Sequence, residues 1–473
     1  MNGRRRAAVL AAACAGLTGI VFLPCVAFPF LNWDDVVNVA ANPRLSFSAA
    51  GLRWMALGSS LGHWHPLTWL TLALDRAVWG PGPFGYHLTN VLLHAASAAL
   101  LFLLARRLLR PAAASEAAAD GAAAFAALFW ACHPLRVESV AWVTERRDVL
   151  SGLFILASLF AYVRSAEEGD GERGGSWRRT ALAFGAAAMA SKVFAIVLPA
   201  VLLVLDARLR GRPRWKEKLP WALPASVALG FNLAAQAAGE ASVPFSRFGL
   251  GARLSQAAYG LAFYLEKSFV PAGLGPLYER SPLLEPAPFV LSAAFVLAAA
   301  ALLWRGRRRF PWLAQAALAY FLFALPALGL FKSGRMSAAD RYSYLPGIPL
   351  ALLAGAAVAR SARRRGPALA AFGLVLALCV LTLAQLPVWS SDAALWTRAC
   401  EVSPLSYFAR LKLAEADAAA GRPDAAAADR GEAERIHAEV FTRAAEIYSA
   451  RGDEAAAADA RARVKAGLSA FSP

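Results

Sequence analysis

Apolar runs recur along the chain, separated by short polar stretches in which arginine dominates. Eleven runs are of helical length, near residues 7–30, 86–109, 121–141, 148–164, 178–191, 193–207, 219–238, 287–304, 311–331, 344–360 and 367–387. Several are shorter or more interrupted than the roughly 20 residues that a straight crossing needs. The pattern predicts an all-α polytopic membrane protein, a bundle of about eleven transmembrane helices. Two polar regions interrupt it: a long loop over 31–85 and an Ala-rich tail over 390–473.

Charge placement orients the bundle. Arg4, Arg5 and Arg6, then Arg106, Arg107 and Arg110, then the arginines at 164–179, fall in alternate loops. So do the basic residues at 208–218, Arg305 to Arg309, and Arg360 to Arg365. Put together on one side they satisfy the positive-inside rule, with the N-terminus cytoplasmic and the tail outside. Residues 253–271 carry Arg253, Glu266 and Lys267 and would break this alternation as a span. They read as an amphipathic helix on the outer surface. The first run extends to Phe30, too long for a signal-peptide core, so it reads as an uncleaved span. In the tail, Gly421-Arg422-Pro423-Asp424 and Arg451-Gly452-Asp453 read as turns between paired helices. Their separation is close to a tetratricopeptide period. The expected division is a membrane domain over 1–389 and a short tetratricopeptide-like domain over 390–473.

Composition agrees. Apolar residues make up 58% of the 473 positions and charged residues 17%, against roughly 25% in ordinary soluble domains. The net charge of +17 sits in short loops rather than on one folded surface, which argues against a nucleic-acid groove. The five cysteines lack zinc-like spacing and suggest no disulfide framework. No Gly-rich phosphate loop, Ser-His-Asp pattern or CxxC is present.

The outer loops hold the candidate chemistry. Asn32-Trp33-Asp34-Asp35 stands where the first span exits, and carboxylates there face an outer cavity because an ion in hydrocarbon is costly. Asp34 or Asp35 suits the role of a general base that takes a proton from a hydroxyl acceptor, beside an oxocarbenium-like transition state. A helix-capping role for Asp35 is the plainer alternative. The second outer loop, 133–148, holds His133, Arg136, Glu138, Glu145, Arg146, Arg147 and Asp148. Outer loops are usually poor in cations, so an anionic ligand such as a lipid phosphate accounts for Arg136, Arg146 and Arg147. Pairing of those arginines with the neighbouring acids is equally consistent. Lys192 lies at an outer turn, snorkelling or facing a cavity. The last outer loop holds Lys332, Arg335, Asp340, Arg341 and Tyr342, and Arg341 is suited to a phosphate. Metal binding is not expected: the histidines lie on different elements and no HExxH occurs.

Read together, the loops resemble those of the transmembrane and tetratricopeptide-repeat O-mannosyltransferases and their bacterial relatives, within the GT-C glycosyltransferases. The resemblance rests on Asn32-Trp33-Asp34-Asp35, Trp64-His65-Pro66-Leu67-Thr68-Trp69, Tyr86-His87-Leu88-Thr89-Asn90 with Leu93-His94, the 133–148 stretch, and Ala339-Asp340-Arg341-Tyr342. These occur in family order across residues 30–345. The resemblance implies a GT-C-type fold, a polyprenyl-phosphate monosaccharide as donor at the outer leaflet, and a catalytic carboxylate in the first acidic pair. It also implies an outer tetratricopeptide domain and, as in animal members, mannosyl transfer to protein Ser or Thr. Ser191-Lys192-Val193 lacks the proline that often follows the lysine in relatives, which leaves the pose of Lys192 open. The tail has room for about two repeats only.

The expected reading is a metal-independent transferase of a bacterial inner membrane with no cofactor. Asp34 or Asp35 would be catalytic. Arg341, Lys192 and one of Arg136, Arg146 and Arg147 would hold the lipid phosphate. His65, His133, Glu138 and Tyr342 would shape the pocket. Its partners would be the lipid donor and an acceptor protein or glycan outside, not nucleic acid. The alternatives are a non-catalytic scaffold and a lipid-linked saccharide transporter. A transporter favours midplane charges and repeated halves, neither of which the sequence displays.

Overall fold

A computed structural model describes residues 3–238, 249–279, 286–330, 336–361 and 365–468; Lys332 and Arg335 lie outside them. Helix α1 (Gly3–Phe22) leads into the polar loop, which carries α2 (Ala49–Leu57) and α3 (Pro66–Trp79). Helices α4 (Pro83–Leu109) and α5 (Glu116–Ala131) pack against α1 and against each other. A short α6 (Val137–Ala141) precedes α7 (Arg146–Glu168), which forms a tight hairpin with α8 (Glu172–Ser191). Then come α9 (Leu198–Leu209), α10 (Ala222–Ala238), α11 (Leu250–Phe269), α12 (Pro286–Gly306), α13 (Pro311–Ala324), α14 (Gly347–Ser361) and α15 (Arg365–Gln385). The tail forms α16 (Asp392–Val402), α17 (Tyr407–Ala419), α18 (Pro423–Ala450) and α19 (Glu454–Ala466).

Every expected apolar run has a helix at its place. Among the described residues five segments are long and apolar enough to cross a membrane unaided: Gly3–Ala27, Pro83–Ala112, Val143–Glu168, Ala287–Gly306 and Gly366–Trp389. The protein is thus a multi-pass membrane protein. Residues at 253–271 are a helix, α11, and amphipathic as expected. It buries Arg253, Gln256, Phe263 and Tyr264 and leaves Leu250, Leu254 and Phe269 exposed. In a lipid-surrounded bundle exposed leucines carry no desolvation cost, so the outward faces of α12 and α15 stay apolar as well.

Both turns expected in the tail are present, with Gly421 and Gly452 at φ +72° and +76°, where a side chain would be strained. Helices α16 and α17 are not separate from the bundle: Leu395, Trp396, Ala399 and Leu413 join the main core. A small antiparallel pair, β1 (Tyr278–Glu279) with β2 (Met336–Ala338), ties the segment after α11 to the strand leading into Asp340. It fixes the loop that carries Arg341 over the end of α7.

Candidate active site

The first loop and the second loop are joined by Asp35. Its carboxylate is fully buried. It accepts hydrogen bonds from the Thr144 amide (2.8 Å), the Thr144 hydroxyl (2.6 Å) and the Leu31 amide (3.1 Å). Burial pushes its pKa up to about 7, against the pull of these three donors. Asp35 therefore ties two loops together, and its full burial keeps it from an acceptor. The chain after it winds into a single π-turn, Val36–Ala40. Asp34 differs: it is half-buried, and among the described residues no hydrogen-bond donor meets its side chain. Burial raises its pKa, and the positive charges of Arg147 and Arg341 partly offset that rise.

The second loop makes a hub. Pro134 starts a short 3-10 turn after His133, α6 follows, and a second 3-10 turn, Val143–Glu145, feeds into α7. This winding turns Glu138 and Glu145 to the same side. Glu138 accepts from the guanidinium of Arg341 and, at 2.7 Å, from its amide. Glu145 accepts from Arg147 (2.5 and 3.1 Å), Lys192 (3.3 Å) and Arg341 (3.3 Å). Lys192, in extended backbone between α8 and the next turn, also bonds Asp148 at 2.5 Å. Lys192 and Arg341 both lie over the Tyr342 ring. Three cations and three acids thus balance in one cluster, with Asp34 at its border as a further negative charge. The arginine-to-acid pairing is realised. Arg341 still keeps one nitrogen lightly engaged: among the described residues Nη2 meets only the Tyr342 hydroxyl at 3.4 Å and the Met336 sulfur at 3.8 Å.

His65 borders this cluster. It is buried, both ring nitrogens lack a partner among the described residues, and it stacks on His63 with centroids 5.4 Å apart. Burial first, then the nearby cations, hold its pKa well below the usual value, so the ring is neutral. The turn before it is strained at Leu61, which sits at φ +49° beside Gly62 at +73°, between the Ser60 and His63 hydrogen bonds.

The structure does not bring every expected residue to this place. Arg146 turns away to Asp75 (2.6 Å), Asn90 and the Tyr86 carbonyl (2.8 Å), binding α3 and α4 to α7. Successive helix residues point about 100° apart, so Arg146 and Arg147 cannot share a ligand. Arg136 lies one layer behind Arg341, bonded to Ser343 (2.7 Å) and packed on Trp130 and Tyr344. His133 is spent on the Leu135 amide and the Ser268 carbonyl, both at 3.2 Å, and burial lowers its pKa to about 3. Sequence reasoning placed Glu145 and Asp148 only as partners of arginine and gave Trp33, Trp142, Trp389 and Trp396 no part. Those four indoles stack beside Asp34, with centroids 4.7 Å apart for Trp33–Trp142, 5.1 Å for Trp33–Trp396 and 5.7 Å for Trp142–Trp389. The Asn32 amide donates to Asp392 of α16 at 2.7 Å. Tryptophans flanking the acidic pair and opening the tail were the available signal. Among the described residues no three His, Cys, Asp or Glu side chains gather at metal-ligand spacing.

A multi-pass helical bundle that folds its non-membrane loops over a balanced ion cluster is the class defined by the fold and the site. Residues 65–233 match the family model for dolichyl-phosphate-mannose-protein mannosyltransferases. The chain is 30% identical over 192 residues to the protein O-mannosyl-transferase TMTC1 of Homo sapiens, covering 37% of this chain and 21% of that one. It is 33% identical over 159 residues to the protein O-mannosyl-transferase TMTC2 of Mus musculus, covering 33% and 18%. The aligned stretches thus span about a fifth of those relatives' own length. A crystal structure of ArnT from Cupriavidus metallidurans bound to undecaprenyl phosphate is similar with a TM-score of 0.42 at 18% identity, covering 90% of this chain and 74% of that one. Over these stretches the chain is similar to the transmembrane and tetratricopeptide-repeat O-mannosyltransferases, the family its loop motifs resemble.

Proposed function

We propose that this protein is a GT-C-type glycosyltransferase that moves a monosaccharide, mannose in the first instance, from a polyprenyl-phosphate donor to a hydroxyl acceptor, Ser or Thr of a protein. The observation that carries the reading is the contrast within the cluster: the other acids are bonded, and Asp34 alone among them has no hydrogen-bond donor while facing Arg147 and Arg341. In this reading the acceptor oxygen attacks the anomeric carbon and Asp34 takes its proton. The bond from that carbon to the phosphate oxygen breaks, and the electron pair leaves with the phosphate. Arg341, through its lightly held Nη2, with Lys192 and Arg147, meets the charge that develops there. Positive charge is supplied by side chains, and no metal enters the step. His65, neutral and with both nitrogens free, is placed to hydrogen-bond a sugar hydroxyl.

The positive-inside pattern supports a bacterial inner-membrane location with the N-terminus cytoplasmic and the cluster on the outer side. The helix pairs α16–α17 and α18–α19 are read as a short tetratricopeptide-like unit. A scaffold would gain nothing from an unbonded, half-buried carboxylate beside two arginines, because leaving such a group unpaired costs stability.

The test is transfer of labelled mannose from polyprenyl phosphate in membranes bearing the full chain or its Asp34→Asn variant. Removing a general base costs about 10²–10⁴-fold in turnover, with the melting midpoint not lowered because Asp34 accepts no hydrogen bond. Full turnover in a well-folded Asp34→Asn protein would overturn the assignment.

A further inference from the structure

A second feature lies away from the ion cluster and needs none of its chemistry. Helices α4, α9, α13 and α14 leave an open-sided cleft of about 170 Å³ between them. Its walls are almost wholly aliphatic, from Leu104, Val201, Ala319, Phe323 and Leu352 among others. At one end stand Arg208, closing α9, and Arg360, closing α14. Among the described residues neither arginine has a carboxylate partner. Arg360 lies over the Trp312 ring at 4.7 Å and bonds only the Ala356 carbonyl of its own helix, at 3.4 Å. One turn deeper than Trp312, Gln315 holds its amide oxygen buried with no donor. Some basic residues of this side are spent on acids, Arg107 on Glu167 and Arg214 on Asp170 and Glu217.

The dimensions select the occupant. From Arg360 to Ile348 the cleft follows twelve residues of α14, roughly 18 Å of helix. One leaflet of hydrocarbon is roughly 15 Å deep. A slot of that length, apolar along its sides and bearing two unpaired guanidiniums at its mouth, fits one acyl chain with an anionic phosphodiester head. Guanidinium forks match two phosphate oxygens at once, and basic pockets between spans on the cytoplasmic side take such heads. We infer that the α4–α9–α13–α14 cleft is a binding site for an anionic glycerophospholipid of the leaflet on the arginine-rich side, with Arg208 and Arg360 on the phosphate and a fatty-acyl chain along α14.

The site is tested on the purified full-length protein by native mass spectrometry with dioleoyl phosphatidylglycerol and dioleoyl phosphatidylcholine as probes. Two arginines at about 1 kcal/mol each give phosphatidylglycerol roughly a thirty-fold advantage. In Arg208→Gln/Arg360→Gln, both exposed positions, that advantage disappears while phosphatidylcholine binding stays. Ala319→Phe, which fills the cleft, weakens both probes; circular dichroism establishes that it remains folded. Equal affinity of the wild type for the two lipids would mean that the arginines only reach for water, and would overturn the inference. Displacement of bound phosphatidylglycerol by one equivalent of undecaprenyl phosphate would overturn it too, by giving the cleft to a polyprenyl tail. Neither result bears on Asp34.

Discussion

Helix α7 carries a buried ion network at each of its ends, separated by roughly 24 Å of helix. At its C-terminal end Asp206 accepts from the Tyr162 hydroxyl (2.7 Å), Lys218 (2.6 Å) and the Arg214 amide (3.1 Å). Glu217 there takes Arg210 and Arg214 at 3.1 and 3.0 Å. Each carboxylate has at least two donors, bracing α7, α9 and the following turn. At the N-terminal end Glu138, Glu145 and Asp148 are paired just as fully, yet Asp34, His65 and one nitrogen of Arg341 are left wanting partners. Burial and charge are therefore not what distinguish the two. The bracing network leaves a cation nitrogen over, Nη2 of Arg210, but no carboxylate; the proposed site instead keeps a carboxylate in reserve, at a cost in stability.

The largest expected effect comes from opening both networks in parallel. Arg341→Met strips Glu138 of its main donor, and Lys218→Met does the same to Asp206. Each change should cost about 3–5 kcal/mol, the usual penalty for a buried charge left unpaired, read as a lowered midpoint in thermal unfolding. Turnover per folded molecule should then separate them: abolished in Arg341→Met, kept in Lys218→Met. Equal loss in both would erase the distinction between the two ends.

A smaller effect concerns pH. Asp35, with a native pKa of about 7, holds its proton more tightly folded than unfolded. Its contribution to stability is therefore greatest below about pH 4 and is lost as pH rises through about 7. Asp35→Asn should flatten that part of the stability curve, as followed by chemical unfolding between pH 4.5 and 8. A variant with the wild-type slope would show that Asp35 is ionised throughout. The smallest effect is at Asp392→Ala, which removes the acceptor for the Asn32 amide. About 1 kcal/mol of stability should go, with a rise in KM for the acceptor larger than the fall in kcat if the tail helps to set the first loop.

Much of the bundle could be read from hydropathy, because apolar runs of helical length report burial in lipid directly. The limits of α4 and α10 fall within a few residues of the apolar runs, whereas α8 starts six residues early and the run at 121–141 leaves α5 at Ala131 and continues through the second loop to α6. The loops that carry the candidate site were visible as clusters of charge where a membrane protein should have few. What the sequence could not separate were neighbours. Asp34 and Asp35 are adjacent and chemically alike, but one carboxylate is buried against Thr144, 109 residues away, and the other is not. Arg146 and Arg147 differ in the same way, one going to Asp75 and the other to Glu145. Such choices are made by long-range packing and leave no trace in spacing. Glu145 was legible as an acid in a basic loop but not as the point where Arg147, Lys192 and Arg341 meet.

The row formed by Trp396, Trp33, Trp142 and Trp389 runs from the tail, through the first loop, to the second loop and the end of the last span. Indoles this close share their electronic excitations, so the row should give a signed couplet in ultraviolet circular dichroism that no isolated chromophore produces. Any tilt of the tail against the first loop would change its sign or amplitude. The protein thus carries its own unlabelled optical gauge of whether the acidic turn is seated.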